Sequence, residues 1–216
     1  HGRSVAVEAK RLLMGETISL DGVPTVVSRR IQLPLAKPKS REYWQAQLKS
    51  GGFEHQLAKA MLAKLDVQGS IPSEVSYPLS VWKFGDQLAM VFLAGEVVVD
   101  YAVRLKRELD WSRLWINAWA NDMPGYIPSR RVLEEGGYEA DFSQVYYEQP
   151  GRYDPGVEDK LVQAVRELVG EPFEARADQK PSPYHKLPSG EALTLKRLAN
   201  WVTGERTKQE IRMLQK

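Results

Sequence analysis

The feature that most constrains the fold is an apolar run, Met90-Val91-Phe92-Leu93-Ala94, that passes through Gly95-Glu96 into a helical pattern and then into a second apolar run. Across 97–109, Val98, Tyr101, Ala102, Leu105 and Leu109 recur at helical spacing, and 114–118 is short and apolar. Strand, turn, helix and strand in that order favour an α/β arrangement over an all-helical one.

The remaining segments extend this pattern. Residues 24–34 carry Val26, Val27, Ile31 and Leu33 among polar residues, which predicts a strand bounded by prolines. Residues 75–84 and 87–93 are two further predicted strands, and the Gly85-Asp86 between them predicts a hairpin. Helices are predicted over 40–50 and 53–65, the second with Phe53, Leu57, Met61 and Leu65 as a buried stripe. Residues 142–147 are predicted as a strand, and 155–169 as a helix with Val157, Leu161, Ala164, Val165 and Leu168 inward. The expected fold is α/β, a mixed sheet with flanking helices.

At the N-terminus Val5, Ala9, Leu12 and Leu13 mark the apolar face of a helix. Because the chain opens inside that helix, it is expected to be a fragment. The core is expected to occupy 1–170. A proline-rich linker with Pro172, Pro181, Pro183 and Pro188 then spans 171–189, and a charged amphipathic helical tail with Leu193, Leu195, Leu198, Trp201 and Val202 spans 190–216.

Composition removes several function classes. Thirty Lys+Arg against 28 Asp+Glu leave a formal charge of +2, which makes no case for nucleic acid as a partner. The absence of cysteine excludes a disulfide framework, a thiolate metal site and a cysteine nucleophile. No apolar stretch approaches the ~20 residues of a transmembrane segment. There is no glycine-rich phosphate loop, no Gly-x-Ser-x-Gly elbow and no His-Glu-x-x-His pair. His1, His55 and His185 have no metal-ligand spacing among themselves.

Two segments stand out as candidate sites. Asn121-Asp122-Met123-Pro124-Gly125-Tyr126-Ile127-Pro128-Ser129-Arg130-Arg131, closing at Gly136-Gly137-Tyr138-Glu139, sets two tyrosines among backbone-bending residues. Pro128 biases Ile127 toward an extended backbone, and Gly136-Gly137 stops the helix predicted over 129–135. A phenol at such a loop can hydrogen-bond a ligand or, as phenolate, bind a cation. Equally, both tyrosines can be amphipathic aromatics packed under a loop. Glu96 stands where an apolar strand becomes a helix, the end of a strand at which α/β sheets gather ligands. An acidic residue there is also favoured by the helix dipole, without any function. Adjacent strands would bring Glu96 and Tyr126 to one edge of the sheet. Arg130-Arg131 is either an anion clamp or a solvated helix face.

Together the segments resemble the neutral, non-lysosomal ceramidases, in particular their bacterial ceramidase-like hydrolases. The resemblance rests on Gly95-Glu96 followed by Arg104-Leu105, on Asn121 through Tyr126-Ile127, and on Tyr138-Glu139, within residues 1–170. It implies a zinc amidase that cleaves the N-acyl bond of ceramide-like lipids to sphingoid base and fatty acid. Glu96 and Tyr126 would be ligands to Zn2+, and Tyr138 would support the oxyanion of the tetrahedral intermediate. The chain would then be the C-terminal half of a larger catalytic domain. The missing N-terminal half would supply two histidine ligands, and the location would be extracytoplasmic. The alternative is a non-catalytic binding or scaffold module that keeps this fold.

Overall fold

The computed structural model describes residues 2–177 and 179, and its centre is a four-stranded mixed sheet. Strands β1 (Thr25–Pro34), β2 (Glu74–Phe84) and β3 (Leu88–Leu93) run antiparallel in sequence order. The β2–β3 link is the hairpin that Gly85-Asp86 predicted, with Gly85 at φ +52°. Beyond the short strand Glu96–Val97, α4 (Val99–Glu108) carries the chain over to β5 (Leu114–Asn117), which pairs parallel to β3 with Ala89 opposite Leu114. This parallel crossover makes the sheet mixed and the fold α/β, as the alternating pattern predicted.

One face of the sheet is the core. Leu33, Tyr77, Leu79, Val81, Ala89, Val91, Leu93 and Leu114 are buried there beneath α4 and α6 (Val157–Val169). Helix α6 buries Val157, Leu161, Val162, Ala164, Val165, Leu168 and Val169, a stripe repeating at i, i+3/i+4. It packs across β1 and β2, and the Arg29 guanidinium reaches Glu167 at 2.5 Å. The opposite face carries Val26, Trp82 and Trp115 along one cross-strand row, all three exposed.

A second, smaller core joins α2 (Arg41–Gln47) to α3 (Gly52–Gln68) through Trp44, Ala58, Met61 and Ile71. Leu57 and Leu65 pack against it as the stripe predicted, whereas Phe53 is exposed and meets the ring of Tyr146 edge-on at 4.8 Å. The first helix, α1 (Gly2–Leu13), forms with its apolar side chains exposed.

Two expectations are corrected. Residues 142–147 are not a strand but a 3-10 helix, Phe142–Tyr147, ending at Glu148 in the left-handed region with φ +52°. Only Ser143 and Gln144 of that segment are buried, while Phe142 and Tyr146 are exposed, so it offers no alternating inward face for a sheet. The core also continues beyond residue 170. Glu171–Phe173 is a 3-10 turn, Phe173 is buried, and Glu174 bridges to Leu109, all within the segment whose prolines suggested a linker. The tail expected over 190–216 lies outside the described residues.

Candidate active site

The site is built where the ends of β3 and β5 turn away from the sheet. After Leu93 the chain passes Ala94, whose carbonyl accepts from the buried Tyr77 hydroxyl at 2.8 Å, and reaches Gly95. At Gly95 φ is +70°, and a Cβ there would stand 2.4 Å from the Gly125 carbonyl oxygen. Only glycine accommodates both the conformation and the approach. The Gly95 amide donates to Asp122 O, its carbonyl accepts from Trp119 N, and both distances are 2.9 Å. The loop that answers it is held in unusual backbone geometry: Trp119 and Asn121 adopt φ +59° and +69°. Left-handed residues other than glycine cost free energy that the surrounding hydrogen bonds must offset.

This close approach creates a second, two-stranded ladder. Strand β4 (Glu96–Val97) pairs parallel with β6 (Tyr126–Ile127), with Glu96 opposite Tyr126 and Val97 opposite Ile127. The Glu96 amide donates to Gly125 O at 2.9 Å. Gly125 is itself constrained, with φ +105° and the Tyr147 ring 2.8 Å from where a Cβ would be. The turn aromatic Tyr147 therefore closes the floor of the loop.

Beyond β6, Ser129 caps α5 (Arg130–Glu135) by accepting from Val132 N at 3.2 Å. Gly136 and Gly137, at φ +71° and +102°, then end the helix and return the chain toward β6. This return sets the Tyr138 ring edge-on to the Tyr126 ring, 5.6 Å between centroids and 77° between planes. Glu96, Tyr126 and Tyr138, the three residues singled out in the sequence, thus form one cluster.

Electrostatics couple its members. The Tyr126 phenol is held well above the ordinary tyrosine value, first by the Glu96 carboxylate acting as hydrogen-bond acceptor. Partial burial adds to this, as do the charge of Glu96 and the neighbouring Tyr138 and Glu139. Glu139 entered the sequence reading only as the tail of a motif. Its charge acts on the Tyr126 phenol, which no local pattern indicated.

Other sequence candidates are engaged elsewhere. Arg130 pairs with Asp159 at 2.6 Å, and Arg131 pairs with Asp100 and Glu135, so both arginines hold carboxylates of the protein. Arg104 binds Glu108, Glu158 and Asp159 at 2.8, 3.0 and 2.7 Å and ties α4 to α6. The His55 ring is hydrogen-bonded through Nδ1 to Leu48 O at 2.8 Å, within the α2–α3 unit. His1 and His185 lie outside the described residues.

For a four-coordinate zinc shell, Glu96 and Tyr126 would offer two oxygens from facing positions of paired strands. Among the described residues no group of three or more His, Asp or Glu side chains is gathered to complete one. No family model, curated protein or solved structure matches the chain. The chemistry of the cluster is therefore argued from its geometry.

Proposed function

We propose that this chain carries the Glu96–Tyr126–Tyr138 portion of a zinc-dependent amide hydrolase site of the neutral ceramidase type, acting on N-acyl lipids such as ceramide. The observation that carries the reading is the register of the short ladder, which sets a carboxylate opposite a phenol, with a second phenol stacked against it. Glu96 and Tyr126 would hold the metal with two histidines from outside the described residues. Bound zinc would polarise the acyl oxygen and lower the pKa of a water to about 7.

The side chains present have separable tasks. Tyr126 keeps its proton beside the charges of Glu96 and Glu139, so cation binding must expel that proton. Tyr138 is held at the ring by Tyr126, while the residue as a whole stays half exposed. Its hydroxyl can donate to an oxyanion that develops only in the transition state, an interaction that raises rate rather than ground-state affinity. The exposed aromatics support an apolar substrate. Trp119 lies on the loop bonded to Gly95, and Phe142 and Tyr146 lie on the turn whose Tyr147 packs against Gly125. Aromatic surface of this kind suits a lipid chain entering from an interface.

The test is zinc content together with hydrolysis of a fluorescent N-acyl sphingosine by the complete gene product. One zinc per protein is expected, with strong loss in Glu96→Ala. Unchanged zinc in that variant would overturn the ligand assignment. A protein without zinc or turnover, but with its fold intact, would leave the non-catalytic binding module in its place.

A further inference from the structure

The β4–β6 ladder is too short to hold its own register. It contains two residue pairs, and the backbone bonds that carry it onward are Glu96 N to Gly125 O at 2.9 Å and Val98 N to Ile127 O at 3.3 Å. Short ladders slip easily, and a slip of one residue would turn Tyr126 to the other face, away from Glu96. The Gly95 bonds to Asp122 and Trp119 hold its entrance, and a contact beyond Val97 and Ile127 must hold its exit.

We infer that Asp100, acting with Ser129 and Arg131, is the positioning group that keeps Glu96 opposite Tyr126. Four residues after Glu96, in the first turn of α4, Asp100 faces Ser129, the N-cap of α5, three residues after Tyr126. Its Oδ2 accepts from Ser129 Oγ at 2.5 Å and from Arg131 Nε at 3.1 Å, and its Oδ1 accepts from Arg131 Nη2 at 3.1 Å. The two-point contact with Arg131 fixes direction as well as distance. Ser129 is fully buried, and the oxygen that donates to Asp100 also accepts from Val132 N. One hydroxyl therefore joins the cap of α5 to the first turn of α4.

A second strap crosses the same gap. The buried Tyr101 hydroxyl, one residue along α4, donates to Pro128 O at 3.0 Å, immediately before Ser129. The chain segments leaving β4 and β6 are thus tied by an ionic contact and by a phenol–carbonyl bond, within three residues of each other. An acid placed only to complement the helix dipole would need neither. The same geometry explains Arg131, which here anchors the site and is not free to clamp an anion.

This inference rests on the zinc amidase reading only for its metal arm, so its test has two independent readouts. In the metal-free chain, the nuclear Overhauser contact between the Tyr126 and Tyr138 rings reports the positioning itself. Zinc affinity reports its consequence. Asp100→Ala is expected to lose most of the ring contact and to weaken zinc binding about 10- to 100-fold, the range seen when a group supporting metal ligands is removed. Leu168→Ala, which opens the core under α6, serves as a comparison at matched thermal midpoint and is expected to keep the ring contact. Equal behaviour of the two variants would reduce Asp100 to a stability residue and overturn the inference. If Asp100→Ala fails to fold, Asp100→Asn keeps the volume while removing the charge that holds Arg131, and retention of the full ring contact there would be equally fatal. Loss of the ring contact in a protein whose wild type takes up no zinc would uphold the positioning role and defeat the amidase reading instead.

Discussion

The ring of Tyr138 stands edge-on against the ring of Tyr126, with centroids 5.6 Å apart, and this contact joins residues from two sides of helix α5. Tyr126 is fixed by its strand, whereas Tyr138 leaves a left-handed glycine pair and is half exposed. The stack therefore lends the order of the ladder to a side chain that would otherwise sample several rotamers. An edge-to-face pair of this kind contributes about 0.5–1.5 kcal/mol beyond burial.

Tyr138→Phe separates the ring contact of that residue from its proposed donor role. The ring contact and the zinc content are expected to persist, while kcat falls by roughly 10²–10³, the effect of removing one oxyanion donor. A fall in zinc content, or unchanged kcat, would contradict the donor role.

Glu96→Gln removes the charge and the strong acceptor that hold the Tyr126 phenol above its usual value. A neutral amide no longer penalises the phenolate, so the Tyr126 pKa is expected to fall toward the free tyrosine value of ~10. Tyrosine ring carbon shifts followed with pH measure this directly. A Tyr126 titration that stays where it was would show that the carboxylate is not its governing neighbour.

Gly95→Ala tests the close approach beneath the site. The added methyl would meet the Gly125 carbonyl oxygen at 2.4 Å in a backbone conformation that disfavours any side chain. Separation of β4 from β6 and a loss of about 2–4 kcal/mol are expected, the scale of a strained and overpacked position. Chemical denaturation reads the loss. A change under 0.5 kcal/mol would mean that the loop yields freely.

Three core tyrosines predict alkaline sensitivity. Burial raises the phenols of Tyr77, Tyr101 and Tyr153 well above the ordinary value. The folded chain keeps these protons after the unfolded chain has released its own near pH ~10. Stability is therefore fully present below that pH and falls above it, by about 1.4 kcal/mol per pH unit for each such group. The Tyr153 hydroxyl is buried without a hydrogen-bond partner, so Tyr153→Phe is expected to cost under about 1 kcal/mol at pH 7 and to flatten the alkaline slope. Urea melts at pH 8 and pH 11 decide the matter, and an unaltered slope would refute it.

A chain ending at Gly170 would lose Phe173, which is buried and packed beneath the Arg113 guanidinium, and the carbonyl to which Asp110 N donates at 2.9 Å. Burying a phenylalanine stabilises by about 1.5–3 kcal/mol, so that truncation should lower the thermal midpoint well below that of a chain ending at residue 179. Equal midpoints would return the core boundary to residue 170.

Periodicity and turn chemistry, which are local, were sufficient for the main elements. Alternation placed β1 to β3, Gly85-Asp86 placed their hairpin, and the five residues predicted inward on α6 are all buried, with Val162 and Val169 beside them. The same logic failed at 142–147, because a short run of aromatics reads alike in a strand and in a 3-10 turn. It failed again at Phe173, where the prolines on either side masked a single buried side chain.

The sequence by itself marked Glu96, Tyr126 and Tyr138 as candidates, since glycines, prolines and a carboxylate at a strand end leave local marks. Only the tertiary structure decided that Glu96 lies opposite Tyr126, that Tyr138 stacks on it, and that Asp100 and Arg131 hold the arrangement. Those relations span 30, 12 and 31 positions along the chain. They arise from the close approach of the Gly95 and Gly125 backbones and from paired charges, neither of which has a period that a sequence could display.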